Sequence, residues 1–181
     1  KIIVISYKYR QHLKDNSFIY ISDDFESGNK ISPIDLLIYK RKLFVDGKDK
    51  AKKDFKKILY KILENYKVIL IYPYPEYDKD VFQALHVKKK LKDILNIENK
   101  KIETSLEKYF DTNTDIINFL DELQNKNLYK IFPHKIFCSS ENNKCLFQKK
   151  GIPLYYDQIH LTYAGSKLIN NEIIKILNQP D

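Results

Sequence analysis

Near its end the chain reads Tyr155-Tyr156-Asp157-Gln158-Ile159-His160-Leu161-Thr162. An Asp three residues before a His, on a short turn, can reach the imidazole Nδ1–H. That contact fixes the tautomer and stabilises the imidazolium formed when the ring takes a proton from a hydroxyl. Nucleophilic catalysis needs such a base with its orienter, and here both lie in one short peptide. The same spacing also suits a purely architectural role, an Asp helix cap beside a partly buried His.

Cys138 and Cys145 are the only cysteines, and they flank the polar stretch Ser139-Ser140-Glu141-Asn142-Asn143-Lys144. No Cys or His cluster with zinc spacing surrounds them. Two free thiols of a cytosolic protein are one reading. The polar loop gives thiols no apolar pocket, so a disulfide formed in an oxidising compartment is the expectation. Its entropic gain is modest because the loop is short. His12, His86 and His134 share no ligand spacing and are expected to be surface or partly buried residues. No glycine loop that could cradle phosphates is present, so no nucleotide cofactor is expected.

These groups need a scaffold. Ile2 to Ser6 and Val68-Ile69-Leu70-Ile71-Tyr72 are short, β-branched apolar runs of the kind that form strands buried on both faces. Between them, Lys52 to Tyr66 places Phe55, Ile58, Leu59, Ile62 and Leu63 at helical spacing with lysines opposite. Strand, helix, strand in that order predicts a βαβ crossover and a parallel sheet with both strands internal. Asn16 to Asp49 reads as a long surface excursion with a helical turn near Ile34 to Tyr39. Val81 to Leu95 and Thr114 to Leu123 read as helices, the second capped by Thr114 and apolar at Ile116, Ile117, Phe119, Leu120 and Leu123. Tyr129 to Phe132 and Lys135 to Phe137 read as short strands around Pro133. Leu161 to Leu177 closes the chain as a helix with Leu168, Ile169, Ile173, Ile174 and Leu177 on one face.

In an open parallel sheet, ligands bind beyond the carboxyl ends of the strands. Three segments are expected there: Tyr7-Lys8-Tyr9-Arg10, Pro73-Tyr74-Pro75-Glu76 and the Asp157–His160 turn. As ordinary structure, the first is a basic aromatic loop and the second a proline-stiffened strand exit.

Length and composition fit a single domain spanning residues 1–181, with 43% hydrophobic residues to build a core. No apolar run reaches membrane-spanning length, and Lys1-Ile2-Ile3-Val4 carries no signal-peptide pattern. With no Met in the sequence, Lys1 is expected not to be a translation start and the chain to be a piece of a longer one. The net charge is +8, yet Arg10 and Arg41 are the only arginines, and the lysines are spread over amphipathic segments. Nucleic-acid readers lean on Arg for bidentate contacts, so no nucleic-acid partner is expected.

The Asp–His block continues as Leu161-Thr162-Tyr163-Ala164-Gly165-Ser166 and resembles the final block of SGNH-type hydrolases and acyltransferases. Cys138, Cys145, Gly151, Pro153, Leu154, Tyr155 and Tyr156 follow the same pattern. Val4-Ile5-Ser6-Tyr7-Lys8-Tyr9 and Ile71-Tyr72-Pro73-Tyr74-Pro75-Glu76, continued by Asp80-Val81, are similar to two further blocks. Together they resemble the soluble SGNH-type domain fused behind the membrane part of acyltransferase-3 proteins, bacterial enzymes that acylate envelope glycans. The resemblance implies an α/β three-layer sandwich with a central parallel sheet, SGNH- or flavodoxin-like. It implies a catalytic role for His160 and Asp157, substrate binding at Lys8 and Tyr9, and no metal or cofactor. A glycan acceptor, an acyl donor and a tether to a membrane acyltransferase part are the implied partners. The implied location is the periplasmic or extracellular face of a bacterial membrane.

One departure matters. The family's nucleophile lies in a Gly-Asp-Ser block, and this sequence contains none. The resemblance places that first strand and its serine upstream of Lys1. Ser6 is the only serine at a predicted strand exit, but its neighbours do not resemble a nucleophile turn. Two readings therefore stand: an O-acyltransferase or esterase domain working through Ser-His-Asp, and a non-catalytic SGNH-like module that binds glycans or a membrane partner. The 14 Tyr and 10 Phe suit the second through sugar stacking, as well as ordinary core packing.

Overall fold

A computed structural model describes residues 1–6, 48–78, 81, 85 and 104–179. Along these runs lie β1 (Ile2–Ser6), α1 (Lys48–Leu63), β2 (Lys67–Ile71), α2 (Leu106–Asp121), β3 (Leu128–Ile131) and α3 (Pro133–Phe137). They are followed by β4 (Cys138–Ser139), β5 (Lys144–Cys145), β6 (Gln148–Lys149), β7 (Ile152–Pro153) and α4 (Tyr163–Leu177).

The central sheet has the order β1-β2-β3. The Val68 N–H donates to Asn127 O and the Tyr72 N–H to Ile131 O. Partner numbers advance together, so β2 and β3 are parallel, as a crossover through a helix requires. In the middle strand, Val68, Ile69, Leu70 and Ile71 are all buried, which is why its apolar run is unbroken. β1 corrects the expectation of two internal strands: among the described residues it is an edge, with Ile2 44% and Val4 45% exposed. An apolar β-branched run favours a strand but carries no information about how many neighbours that strand has.

The contacts gather into two units, Lys1–Leu70 with Asp115–Tyr129, and Ile71–Thr114 with Lys130–Asp181. In the first, α1 turns Leu59, Ile62 and Leu63 inward, as their spacing dictates, and Phe55 meets Phe119 edge-on at 5.9 Å. Ile116, Phe119, Leu120 and Leu123 supply the facing apolar surface. Asn127 Nδ2 donates to Leu63 O at 3.0 Å, satisfying a carbonyl that the end of α1 leaves open. α1 starts at Lys48, so Lys48 and Asp49 belong to a helix and not to the excursion.

In the second unit, Tyr72, Tyr77, Tyr109, Phe137, Leu154, Tyr155 and Ile169 are buried. Tyr77 stands edge-on to Tyr155 at 4.9 Å and to Phe147 at 6.4 Å. Cys138 and Cys145 form a disulfide and sit directly opposite each other in the β4–β5 hairpin. Among the described residues no helix is long and apolar enough to cross a membrane.

Three further expectations are corrected. Thr114 is no cap: α2 begins at Leu106, and the Thr114 hydroxyl donates back to Phe110 O at 2.5 Å. Ser105 takes the capping role, its Oγ accepting from the Lys108 N–H at 3.0 Å. Lys135–Phe137 is helical, because Pro133 enters the first turn of α3, where a missing N–H costs nothing. On α4, Ile169 is buried, but Ile174 and Leu177 are exposed, so the apolar face is covered mainly along its first half. Of the helix expected at Val81–Leu95, Val81 and Leu85 are described and both are helical. Residues 7–47, with Tyr7–Arg10, the Ile34–Tyr39 turn and His12, lie outside the described residues, as does His86.

Candidate active site at the Asp157–His160 turn

The turn is reached through the β6–β7 hairpin, whose two-residue loop places Lys150 at φ 51° and Gly151 at φ 79°. Two successive left-handed residues make a turn whose twist matches the strands, and glycine takes the second place without a Cβ penalty. The chain then drives Leu154 and Tyr155 into the core. Tyr155 pairs with Leu161 in an antiparallel bridge, and the Tyr156 N–H donates to His160 O at 2.7 Å. Residues 157–160 are the tip between these partners.

One carboxylate organises that tip. Asp157 Oδ1 accepts from the Ile159 N–H at 2.8 Å and from the His160 N–H at 2.7 Å. Its Oδ2 lies 2.5 Å from His160 Nδ1. The same side chain therefore folds the backbone and holds the ring. Burial alone would raise the Asp157 carboxyl. Hydrogen bonds from the His160 and Ile159 N–H groups, and then from the His160 ring, outweigh it and hold the pKa down to about 2. At neutral pH the group is a carboxylate. With Nδ1 engaged, Nε2 is the nitrogen left to exchange protons, and the His160 side chain is 57% exposed. Asp157 is thus no helix cap, and His160 is not buried in apolar contacts.

The helix behind the turn is seated by Thr162. Its hydroxyl donates to Pro153 O at 2.7 Å and accepts from the Gly165 N–H at 3.2 Å, while its own N–H donates to Leu154 O at 3.0 Å. Gly165 permits this approach, because a Cβ there would stand 2.1 Å from Leu154 O. The strand exit also reaches the turn: the N–H of Tyr77, the residue directly after Pro73–Glu76, donates to Gln158 O at 3.0 Å. Asp78 in turn holds Lys108 of α2 in an ion pair.

Of the residues singled out from sequence, the structure brings Asp157 and His160 together, with the Pro73–Tyr77 exit bonded to their turn. Lys8 and Tyr9 lie outside the described residues. Ser6 ends β1. His134 packs against Tyr109 and Phe110, and among the described residues no His, Cys, Asp or Glu cluster could hold a metal. Thr162 and Gly165 were not picked out for holding the turn. Their signal was a Thr before a helical pattern, followed three positions later by a glycine inside it. Tyr77 acts through its backbone and leaves no such signal.

A family model described as "SGNH domain (fused to AT3 domains)" matches residues 1–175. No curated protein matches the chain. Among solved structures, the periplasmic domain of a lipopolysaccharide acetyltransferase from Salmonella ser. Paratyphi A is similar at 17% identity and a TM-score of 0.47. That likeness covers 75% of this chain and 53% of the other, so the chain spans about half of that domain.

Proposed function

This chain belongs to the family of SGNH domains fused to AT3 domains, and on that footing we propose that it is the O-acyltransferase or esterase domain of an envelope-glycan-modifying enzyme. The observation that carries the reading is the Asp157 Oδ2 to His160 Nδ1 contact of 2.5 Å on an exposed imidazole.

The chemistry is a double displacement. A serine Oγ attacks the acyl carbonyl of the donor while His160 Nε2 takes its proton and returns it to the departing donor oxygen. A sugar hydroxyl, or water, then attacks the acyl-serine. Its proton passes through Nε2 to the serine oxygen as the serine ester breaks. In both steps the Asp157 carboxylate stabilises the imidazolium and fixes Nδ1 as the protonated nitrogen. The serine is the one the family carries in its Gly-Asp-Ser block, expected upstream of Lys1. The Cys138–Cys145 disulfide supports work outside the cytoplasm. The family's fusion to AT3 domains supports a tether to a membrane acyltransferase part.

The test is turnover of an activated ester by the full-length gene product carrying His160→Ala or Asp157→Ala. Loss in both variants is expected. Turnover undiminished in both would remove the triad and leave a binding module.

A further inference from the structure

We infer that Tyr156 is the acceptor-side platform of this site, the ring against which the receiving sugar lies while one of its hydroxyls meets His160. The inference rests on the reaction proposed above and adds to it a residue and a role.

The position follows from strand pairing. Tyr155 and Leu161 are antiparallel partners, which makes Tyr156 and His160 the next pair outward. Directly opposed side chains stand on one face with Cβ atoms about 5 Å apart. The Tyr156 N–H to His160 O bond of 2.7 Å holds this pair in place. Alternation then sends Tyr155 to the other face, and its side chain is fully buried. Tyr156 is 58% exposed and the His160 side chain 57%. The backbone pairing thus sets an exposed tyrosine across from an exposed histidine whose Nδ1 is already committed to Asp157.

The chemistry of a pyranose suits that pair. One face of the sugar presents C–H groups, which are attracted to the negative face of an aromatic ring. Its hydroxyls project at the edge, within reach of a neighbouring base. A ring set one cross-strand spacing from the imidazole brings that edge to Nε2. The hydroxyl can then form its C–O bond to the acyl carbon as its proton passes to Nε2 and on to the serine oxygen whose ester bond breaks. The platform also shares its backbone with the turn that Asp157 closes, so ring and base keep one spacing.

The experiment uses the full-length gene product, p-nitrophenyl acetate as donor, and methyl pyranosides of glucose, galactose, mannose, rhamnose and N-acetylglucosamine as acceptors. Tyr156→Ala should raise the acceptor KM about tenfold, equivalent to about 1.4 kcal/mol of lost acceptor binding. It should leave p-nitrophenol release without acceptor unchanged, and Tyr156→Phe should restore the acceptor KM. An unchanged acceptor KM in Tyr156→Ala overturns the inference, as does Phe behaving like Ala. Loss of acceptor-free ester cleavage in Tyr156→Ala overturns it too, since the residue would then only hold the turn. Wild-type protein that cleaves the ester but acylates none of the five glycosides overturns it as well. Undiminished cleavage by His160→Ala instead fails the reaction itself, and this inference with it.

Discussion

Asp157→Asn separates the two duties of this carboxylate. An amide keeps one oxygen, so the Ile159 and His160 N–H groups retain their acceptor. Its other end offers only N–H donors and cannot accept from Nδ1–H. The ring must then turn Nδ1 into an acceptor and carry its proton on Nε2, where a base needs a lone pair. The stability cost follows from the pKa, held at about 2 against an ordinary value of 3.8. Such a depression corresponds to about 2 kcal/mol at neutral pH, with a small discount because the side chain is 29% exposed. The sign is fixed: a lowered folded-state pKa stabilises fully above 3.8 and loses that contribution as pH falls through about 2. Urea unfolding of wild type and Asp157→Asn should therefore differ by about 2 kcal/mol at pH 7 and by roughly half that at pH 3. Ester turnover should fall in the same variant at pH 7. A gap below about 0.5 kcal/mol at pH 7, or one that stays constant down to pH 3, would refute the reasoning.

Two packing predictions follow from the same unit. Gly165→Ala forces a Cβ to within 2.1 Å of Leu154 O, a backbone atom that cannot swing aside, and should cost about 3 kcal/mol by urea or thermal unfolding; an unfolding midpoint equal to wild type would contradict the close approach. Tyr155→Phe removes a buried hydroxyl that has no hydrogen-bond partner among the described residues, and should leave stability unchanged or raise it by up to about 1 kcal/mol. A measured loss of that size would reveal a partner for the hydroxyl.

The parts legible in the sequence are those whose physics is local. The Asp157–His160 turn closes through partners two and three residues apart, so spacing alone points to it. β2 announced itself because a strand covered on both faces has an unbroken apolar run. β1 has the same composition at the edge of the described sheet, since apolarity reports burial on a face and not pairing at a side. The 3.6-residue period marked Leu59, Ile62 and Leu63 of α1 and Ile116, Phe119 and Leu120 of α2, all buried, and passed over the buried Ala51 and Tyr109. It placed the start of α2 at Thr114, although Leu106, Tyr109 and Phe110 already stand at helical spacing, because the polar run Asp111-Thr112-Asn113-Thr114 interrupts the apolar stripe before Ile116. Pro133 was read as a break between strands when it opens a helical turn. Contacts such as Tyr77 to Gln158, 81 residues apart and carried by the backbone, leave no trace in side-chain pattern.

The β4–β5 hairpin reaches well beyond its own residues. Leu106 and Glu107 open α2 with N–H groups that no helical carbonyl can accept, and both find Asn143, through its backbone oxygen at 3.3 Å and its side chain at 3.0 Å. Asn143 sits at φ 54°, inside the loop that the Cys138–Cys145 disulfide closes, and the Cys145 N–H returns the bond to Thr104 O at 3.0 Å. In the language of hydrogen exchange, the amides of Leu106, Glu107 and Cys145 belong to one opening unit assembled from two distant stretches of chain. Their protection should follow how often the cross-linked loop lifts away more than the intrinsic tendency of Leu106–Asp121 to uncoil. The head of α2 is kept by a covalent staple on another part of the chain.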